Sequence, residues 1–138
     1  MTRAELKQYR SLKTEIEDLE KEIDKLRVKM LDVPEVMGKV AKSSDEFPYI
    51  LEHVSVKMVE PKEAAAIEER IRLKELRKDQ ANELVLRIES FINSIPDSAD
   101  RMIFDMVYLQ GIKQREVADT LGYSRSRITQ IISSNVKD

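Results

Sequence analysis

The stretch Gln114–Ile131, QREVADTLGYSRSRITQI, decides how the C-terminal part of this 138-residue chain folds. Apolar side chains at helical spacing on either side of Gly122 predict two short helices, over about 113–121 and 124–134. Gly122 supplies the positive φ that a tight turn requires, and Ser124 can cap the helix that follows. Ala118 is small at the place where the two helices cross. The pattern therefore predicts a helix-turn-helix.

The two faces of the second predicted helix differ in chemistry. Its inward positions, Ile128 and Ile131, are apolar. Together with Val117 and Leu121 of the first helix, they are expected to close a small core with the helix that precedes the motif. The outward positions of the second helix are polar or basic, and we assign them as candidate DNA-binding residues: Ser124, Arg125, Ser126, Arg127, Thr129 and Gln130. Such side chains donate to phosphates and base edges, and a helix of this kind fits the major groove. Ala118, Gly122 and Ile128 are predicted to set the geometry of the motif.

A small three-helix core with a merely solvated polar face is the alternative explanation of this pattern. The stretch from Ser124 to Ser134 contains two arginines and no acidic residue, although the chain as a whole carries 26 acidic side chains. This local excess of positive charge favours double-stranded DNA as the partner of that face.

A further helix is predicted just before the motif. Pro96 marks a break and Asp97 can cap the helix, which then carries apolar residues at amphipathic spacing up to Gln110 and Gly111. With this helix included, residues 96–136 resemble region 4 of bacterial primary sigma factors, the part that reads the promoter −35 element. The resemblance implies a DNA-binding role in transcription, and it places Arg125, Arg127 and Gln130 at positions that contact bases or phosphates.

Two residues depart from the sigma pattern. Ser126 stands where sigma factors usually have a glutamate that accepts from cytosine, and Thr129 replaces a typical basic residue. Both departures favour a target other than an ordinary −35 sequence.

The remainder of the chain does not resemble a sigma factor. A long helical N-terminal half, a connector containing Phe47-Pro48-Tyr49 and a C-terminal sigma-like module together resemble the ArpU-like group of late-gene transcriptional activators in Gram-positive phages. That resemblance implies a transcriptional regulator, of the activating kind, that serves phage or prophage genes in the cytoplasm of a bacterial host.

The N-terminal half is predicted to contain two long helices. Over 3–31 a heptad stripe predicts a helix about 43 Å long; its members are Tyr9, Leu12, Ile16, Leu19, Ile23, Leu26 and Met30. A second helix should begin just after Pro61 and continue to about Asn93, with a stripe made by Ala81, Leu84, Ile88, Phe91 and Ile95. Between them, residues 32–61 predict an irregular connector with one short extended stretch around Val54–Met58.

These elements predict an all-α fold, with long N-terminal helices in residues 1–95 and a three-helix DNA-binding module in residues 96–138. The heptad stripe needs a partner, which is either an antiparallel coiled-coil hairpin within the chain or an oligomeric bundle. From Ser98 onward the chain has six basic and five acidic side chains. One module therefore has a net charge of +1 and is expected to bind DNA phosphates weakly. We therefore favour a homo-oligomer formed through the N-terminal helices. Docking onto host RNA polymerase is a third use that the residues leave open.

Composition excludes several other classes of protein. The chain has no cysteine, so neither a disulfide framework nor a cysteine metal site is possible, and its three glycines lie too far apart for a phosphate-binding loop. No nucleophile–base pair or carboxylate cluster stands out, so we expect no enzyme activity, cofactor or metal. The charged N-terminus and the lack of a long apolar run predict a soluble protein without a membrane partner.

Two rival functions use the same elements. Small terminase subunits, which package DNA, also join a helix-turn-helix to an oligomerising helical core, but they usually carry it at the N-terminus. A protein that binds RNA polymerase or sigma without reading DNA would not need the arginine-bearing, acid-free last helix. The order of the domains and this helix both favour a regulator.

Overall fold

The computed structural model describes residues 1–31 and 61–137, and every regular element within these ranges is helical, which confirms the all-α fold. The helices are α1 Arg3–Lys7, α2 Tyr9–Leu31, α3 Pro61–Asn93, α4 Ser98–Phe104, α5 Gln114–Leu121 and α6 Arg125–Asn135. A π-helical segment, Asp105–Leu109, continues α4. The predicted extended stretch around 54–58 lies outside the described residues. None of the helices in the described ranges has the length and apolar character needed to cross a membrane.

The single N-terminal helix predicted over 3–31 is divided at Gln8. Thr2 begins α1, since its hydroxyl oxygen accepts from the N–H of Glu5 at 3.2 Å. Helical hydrogen bonding resumes immediately after the break, with Leu12 N–H donating to the Gln8 carbonyl at 2.8 Å. Leu6 of α1 and Tyr9 of α2 are both buried, at 0% and 7% exposure.

The chain divides into two compact units, and α2 and α3 each contribute residues to both. The first unit contains Met1–Asp18 and Lys78–Asp138, and the second contains Leu19–Arg77. The sequence placed a boundary between 95 and 96, whereas the contacts group the N-terminal residues and the end of α3 with the three short helices. The physical reason is size, because about 40 residues bury too little apolar surface to fold without support.

The core of the first unit is one apolar cluster shared by α1, α2, α3 and the C-terminal helices. Phe104, which is fully buried, contacts the rings of Phe91 and Tyr108, with centroids 6.0 Å and 5.7 Å away. The Phe91 ring meets Phe104 edge-on, an arrangement that adds about 0.5–1.5 kcal/mol beyond area burial.

The buried face of α3 differs in part from the predicted stripe. Val85 and Ile92 are buried, at 5% and 1% exposure, whereas Leu84 and Phe91 are only partly buried. Positions 84 and 91 lie on one side of the row formed by Ala81, Ile88 and Ile95, and positions 85 and 92 lie on the other side. Helical spacing alone could therefore not choose between the two pairs. Packing decides, with Phe91 at the edge of the face and against Phe104.

In the second unit α2 and α3 lie side by side within one chain. Leu19 and Ile23 of α2 and Ile67 of α3 are each at most 3% exposed. Two ion pairs also join the helices, Lys74–Glu22 at 3.1 Å and Arg27–Glu75 at 2.7 Å. The apolar stripe therefore finds a partner in the same chain, while an oligomer stays a prediction.

Candidate nucleic-acid interface

The turn between α5 and α6 is built around Gly122. This residue has φ 74° and ψ 25°, the left-handed conformation that favours glycine, and its N–H donates to the Ala118 carbonyl. Tyr123 N–H donates to the same carbonyl at 2.9 Å. Ser124 then begins α6, and its hydroxyl oxygen accepts from Arg127 N–H at 3.0 Å. The geometry is that of two helices joined by a capped, hydrogen-bonded turn.

The inner face of this pair is fully apolar. Val117 and Ile128 have no exposed surface, and Ala118 and Ile131 are each 4% exposed. Leu121 is only partly buried. Ile132, which the sequence reading did not include, is 2% exposed and belongs to the same core. These contacts fix the direction of α6 relative to α5.

The outer face of α6 brings all six predicted DNA-binding residues to the surface, where each is exposed. Two of them also have local roles: the Ser124 hydroxyl caps the helix, and the Thr129 hydroxyl donates to the Arg125 carbonyl at 3.1 Å. Arg125, Ser126, Arg127 and Gln130 direct the remaining polar groups outward. Contact of these side chains with DNA stays a prediction.

Electrostatics make this face attractive to an anion. Helix α6 contains no acidic residue, and both of its arginines lie in its first turn. The same turn holds the positive end of the helix dipole and backbone N–H groups that point outward, which favour a phosphate. Eleven residues span about 16 Å, enough to lie in a major groove about 12 Å wide.

The segment before the helix-turn-helix supports α6 from behind. Asp97 caps α4 by accepting from Ala99 N–H at 2.8 Å, as the sequence predicted. At the other end of α6, Asn135 Nδ2 donates to Asp100 Oδ2 at 3.2 Å, which attaches the last turn of α6 to α4. The π-helical segment closes with Ile112 N–H donating to the Met106 carbonyl at 2.9 Å.

Contacts between α1 and α6 were missed by the sequence reading. Arg3 Nη2 donates to Ser133 Oγ, and the Lys137 N–H donates to the Met1 carbonyl at 3.0 Å. Leu6 is fully buried in the same cluster as Ile128 and Ile131. The predicted stripe did not include Leu6. Leu6 lies three residues before Tyr9, whereas the alternating spacing of the stripe places its next member four residues before Tyr9.

Comparison with known proteins agrees with this geometry. Residues 97–136 match the family model for Sigma-70, region 4. The C-terminal module is a region 4-like helix-turn-helix. The match supports a DNA-binding regulatory role, and it begins one residue after the module boundary predicted from Pro96. No curated protein and no solved structure matched the chain.

Proposed function

We propose that this protein is a sequence-specific DNA-binding regulator of transcription and not an enzyme, with α6 as the recognition helix in the major groove. The observation that carries the proposal is the exposed, acid-free face of α6 on a region 4-like helix-turn-helix. If this face met only solvent, acidic side chains would be expected on it, because the chain has 26 acidic and 24 basic side chains.

The side chains of this face can supply base readout as well as phosphate contacts. In a helix-turn-helix the N-terminal residues of the recognition helix contact base edges. Arg125 and Arg127 occupy that end, and an arginine can donate two hydrogen bonds to guanine. Gln130, one turn further along, can pair with adenine in the same manner. Ser126 and Thr129 favour a target that differs from an ordinary −35 element.

The biological setting follows from the resemblance of the whole chain to ArpU-like regulators. It supports activation of phage or prophage genes in a bacterial cell, with host RNA polymerase as a further partner. A C-terminal region 4-like module preceded by long helices is consistent with that arrangement.

We further propose that two or more copies act together on DNA. A module with a net charge of +1 neutralises few phosphates, and a second copy doubles the number of phosphates that are neutralised. Since the α2–α3 seam of the second unit is covered within one chain, contact between copies must use other apolar surface. Leu73 and Leu76 are 46% and 47% exposed on neighbouring positions of α3 and line a cleft of about 370 Å³, which makes them our candidates.

A genome-wide pull-down with the full chain tests the proposed function. We expect one or a few promoter-proximal fragments to be enriched from host and phage DNA. Enrichment of a packaging initiation site would identify a terminase-like subunit instead. Recovery of RNA polymerase without any enriched DNA would identify an interaction protein, and either outcome would contradict the proposal.

A further inference from the structure

We propose that Arg3, from the N-terminal helix α1, is a DNA-phosphate contact at the C-terminal end of the recognition helix. The inference rests on the proposed DNA-binding function. It extends the binding surface beyond the helix-turn-helix to a residue 130 positions away in sequence from its partner on α6, Ser133.

The location of Arg3 follows from its hydrogen bond to Ser133. This bond lies at the surface, and Ser133 itself is exposed. Ser133 is four residues after Thr129 and three after Gln130, so the three side chains share one face of α6. Arg3 therefore presents its guanidinium beside the candidate DNA-binding face rather than behind it.

Several contacts hold Arg3 in this position. Thr2 caps the helix on which it lies, and Leu6 of that helix is fully buried in the core shared with α6. The Lys137 N–H bond to the Met1 carbonyl, at 3.0 Å, attaches the preceding backbone to the segment that follows α6. A cation that is already held in place loses less conformational entropy when it binds.

The distribution of charge along α6 explains what Arg3 would add. Both cations of α6 itself lie within its first three residues, Arg125 to Arg127. Ser133 is about 9–12 Å further along the axis, close to the width of about 12 Å of a major groove. Arg3 thus places a third positive charge where the far end of the helix would approach a phosphate backbone. The Arg3 Nε is buried, so a phosphate oxygen would be reached by the terminal N–H groups of the guanidinium, one of which donates to Ser133.

The salt dependence of DNA binding tests this inference. We would measure the affinity of the full chain for a short random-sequence duplex by fluorescence anisotropy, between about 50 and 200 mM salt. Arg3→Ala should reduce the magnitude of the slope of log affinity against log salt concentration by about 1, which corresponds to the loss of one phosphate contact. Arg3→Lys should keep the slope, because it keeps the charge.

Two matched variants separate a phosphate contact from a structural role. Ser133→Ala removes the hydrogen-bond acceptor and keeps the charge, so its slope should equal that of the wild type. Lys25→Ala removes one exposed charge from the second unit, and it should also leave the slope unchanged. Circular dichroism verifies folding, and Arg3→Gln, which keeps a donor for Ser133, replaces Arg3→Ala if that variant fails to fold.

The outcomes distinguish this inference from the proposed function. A slope for Arg3→Ala or Arg3→Gln equal to that of the wild type would overturn the assignment of Arg3, and so would an equal loss in Ser133→Ala. If Arg125→Ala and Arg127→Ala still weakened binding in that case, the DNA-binding function would stand. A wild-type chain that bound no duplex at all would contradict both.

Discussion

Tyr9 and Glu89 lie 80 residues apart in the sequence and are joined by a hydrogen bond of 2.6 Å between α2 and α3. The Tyr9 hydroxyl donates to Glu89 Oε2, and the tyrosine is 7% exposed in the core of the first unit. Burial, and then the carboxylates of Glu89 and Asp105, raise the pKa of Tyr9 to about 12. This bond therefore joins α2 to α3 within the first unit, which also contains the helix-turn-helix.

The raised pKa predicts a stability difference at alkaline pH. Because the folded protein holds the phenolic proton more tightly than the unfolded chain does, the contribution of Tyr9 is complete below pH 10 and is lost as pH rises through 12. The difference in unfolding free energy between the wild type and Tyr9→Phe should shrink over this range in urea titrations. A constant difference would contradict the assigned pKa.

Leu6 provides a test of the dependence of the helix-turn-helix on the N-terminus. Leu6→Ala should destabilise the first unit by about 2–5 kcal/mol, since it leaves a cavity in the core cluster to which the buried side chains of α6 belong. Hydrogen exchange should show faster exchange of the α6 amides. The matched control is Leu86→Ala, at a side chain that is 62% exposed, where we expect a change within about 0.5 kcal/mol. Unchanged α6 protection in Leu6→Ala would show that the module folds independently.

Gly111 and Gly122 both have a positive φ, so alanine should be destabilising at either position. Gly122 has φ 74° and open space around an added Cβ, so Gly122→Ala should cost about 1–2 kcal/mol from backbone conformation alone. Gly122→Asn should cost less, because asparagine tolerates this conformation. Gly111→Ala should cost a similar amount, because its φ is also 74° and the added Cβ would meet only the flexible, exposed side chain of Arg10. Urea denaturation compares the three variants, and equal stability of Gly122→Ala and wild type would refute the assignment.

The exposed leucines of α3 lead to a prediction about mass in solution. If they form the contact between copies, the double variant Leu73→Glu/Leu76→Glu should lower the mass measured by light scattering to that of one chain. Leu86, an exposed leucine elsewhere on α3, serves as the control, and Leu86→Glu should leave the mass unchanged. A wild type that is monomeric at micromolar concentration and still binds DNA tightly would contradict the oligomer.

Local signals in the sequence predicted the C-terminal elements well, because each depends on a few neighbouring residues. Ser124 and Asp97 cap the helices that follow them, and α3 spans Pro61–Asn93, where a helix from just after Pro61 to about Asn93 was predicted. Gly122 adopts the left-handed conformation expected at the turn. In these cases a side chain or a backbone preference acts within one turn of helix.

The remainder required tertiary contacts that no local pattern contains. Leu6 joins the core from α1, outside the heptad register that begins at Tyr9, so the heptad pattern did not predict its burial. The choice of Val85 over Leu84 on α3 depends on which helices lie against it. The contact between Arg3 and Ser133 joins the two ends of the chain, so it depends on the complete fold of the first unit.

The most direct test of the central claim is the specificity of DNA binding when Arg125 and Arg127 are both replaced. The affinity for the fragment enriched in the pull-down would be compared with that for a scrambled duplex of equal length. We predict that wild-type chain prefers the fragment by about 10³-fold or more. In Arg125→Ala/Arg127→Ala the ratio of the two affinities should fall close to one, with unchanged helical content. The control Lys21→Ala/Lys25→Ala loses the same charge and should keep the preference. Preference retained in the arginine variant would contradict the assignment of α6 as the reading helix.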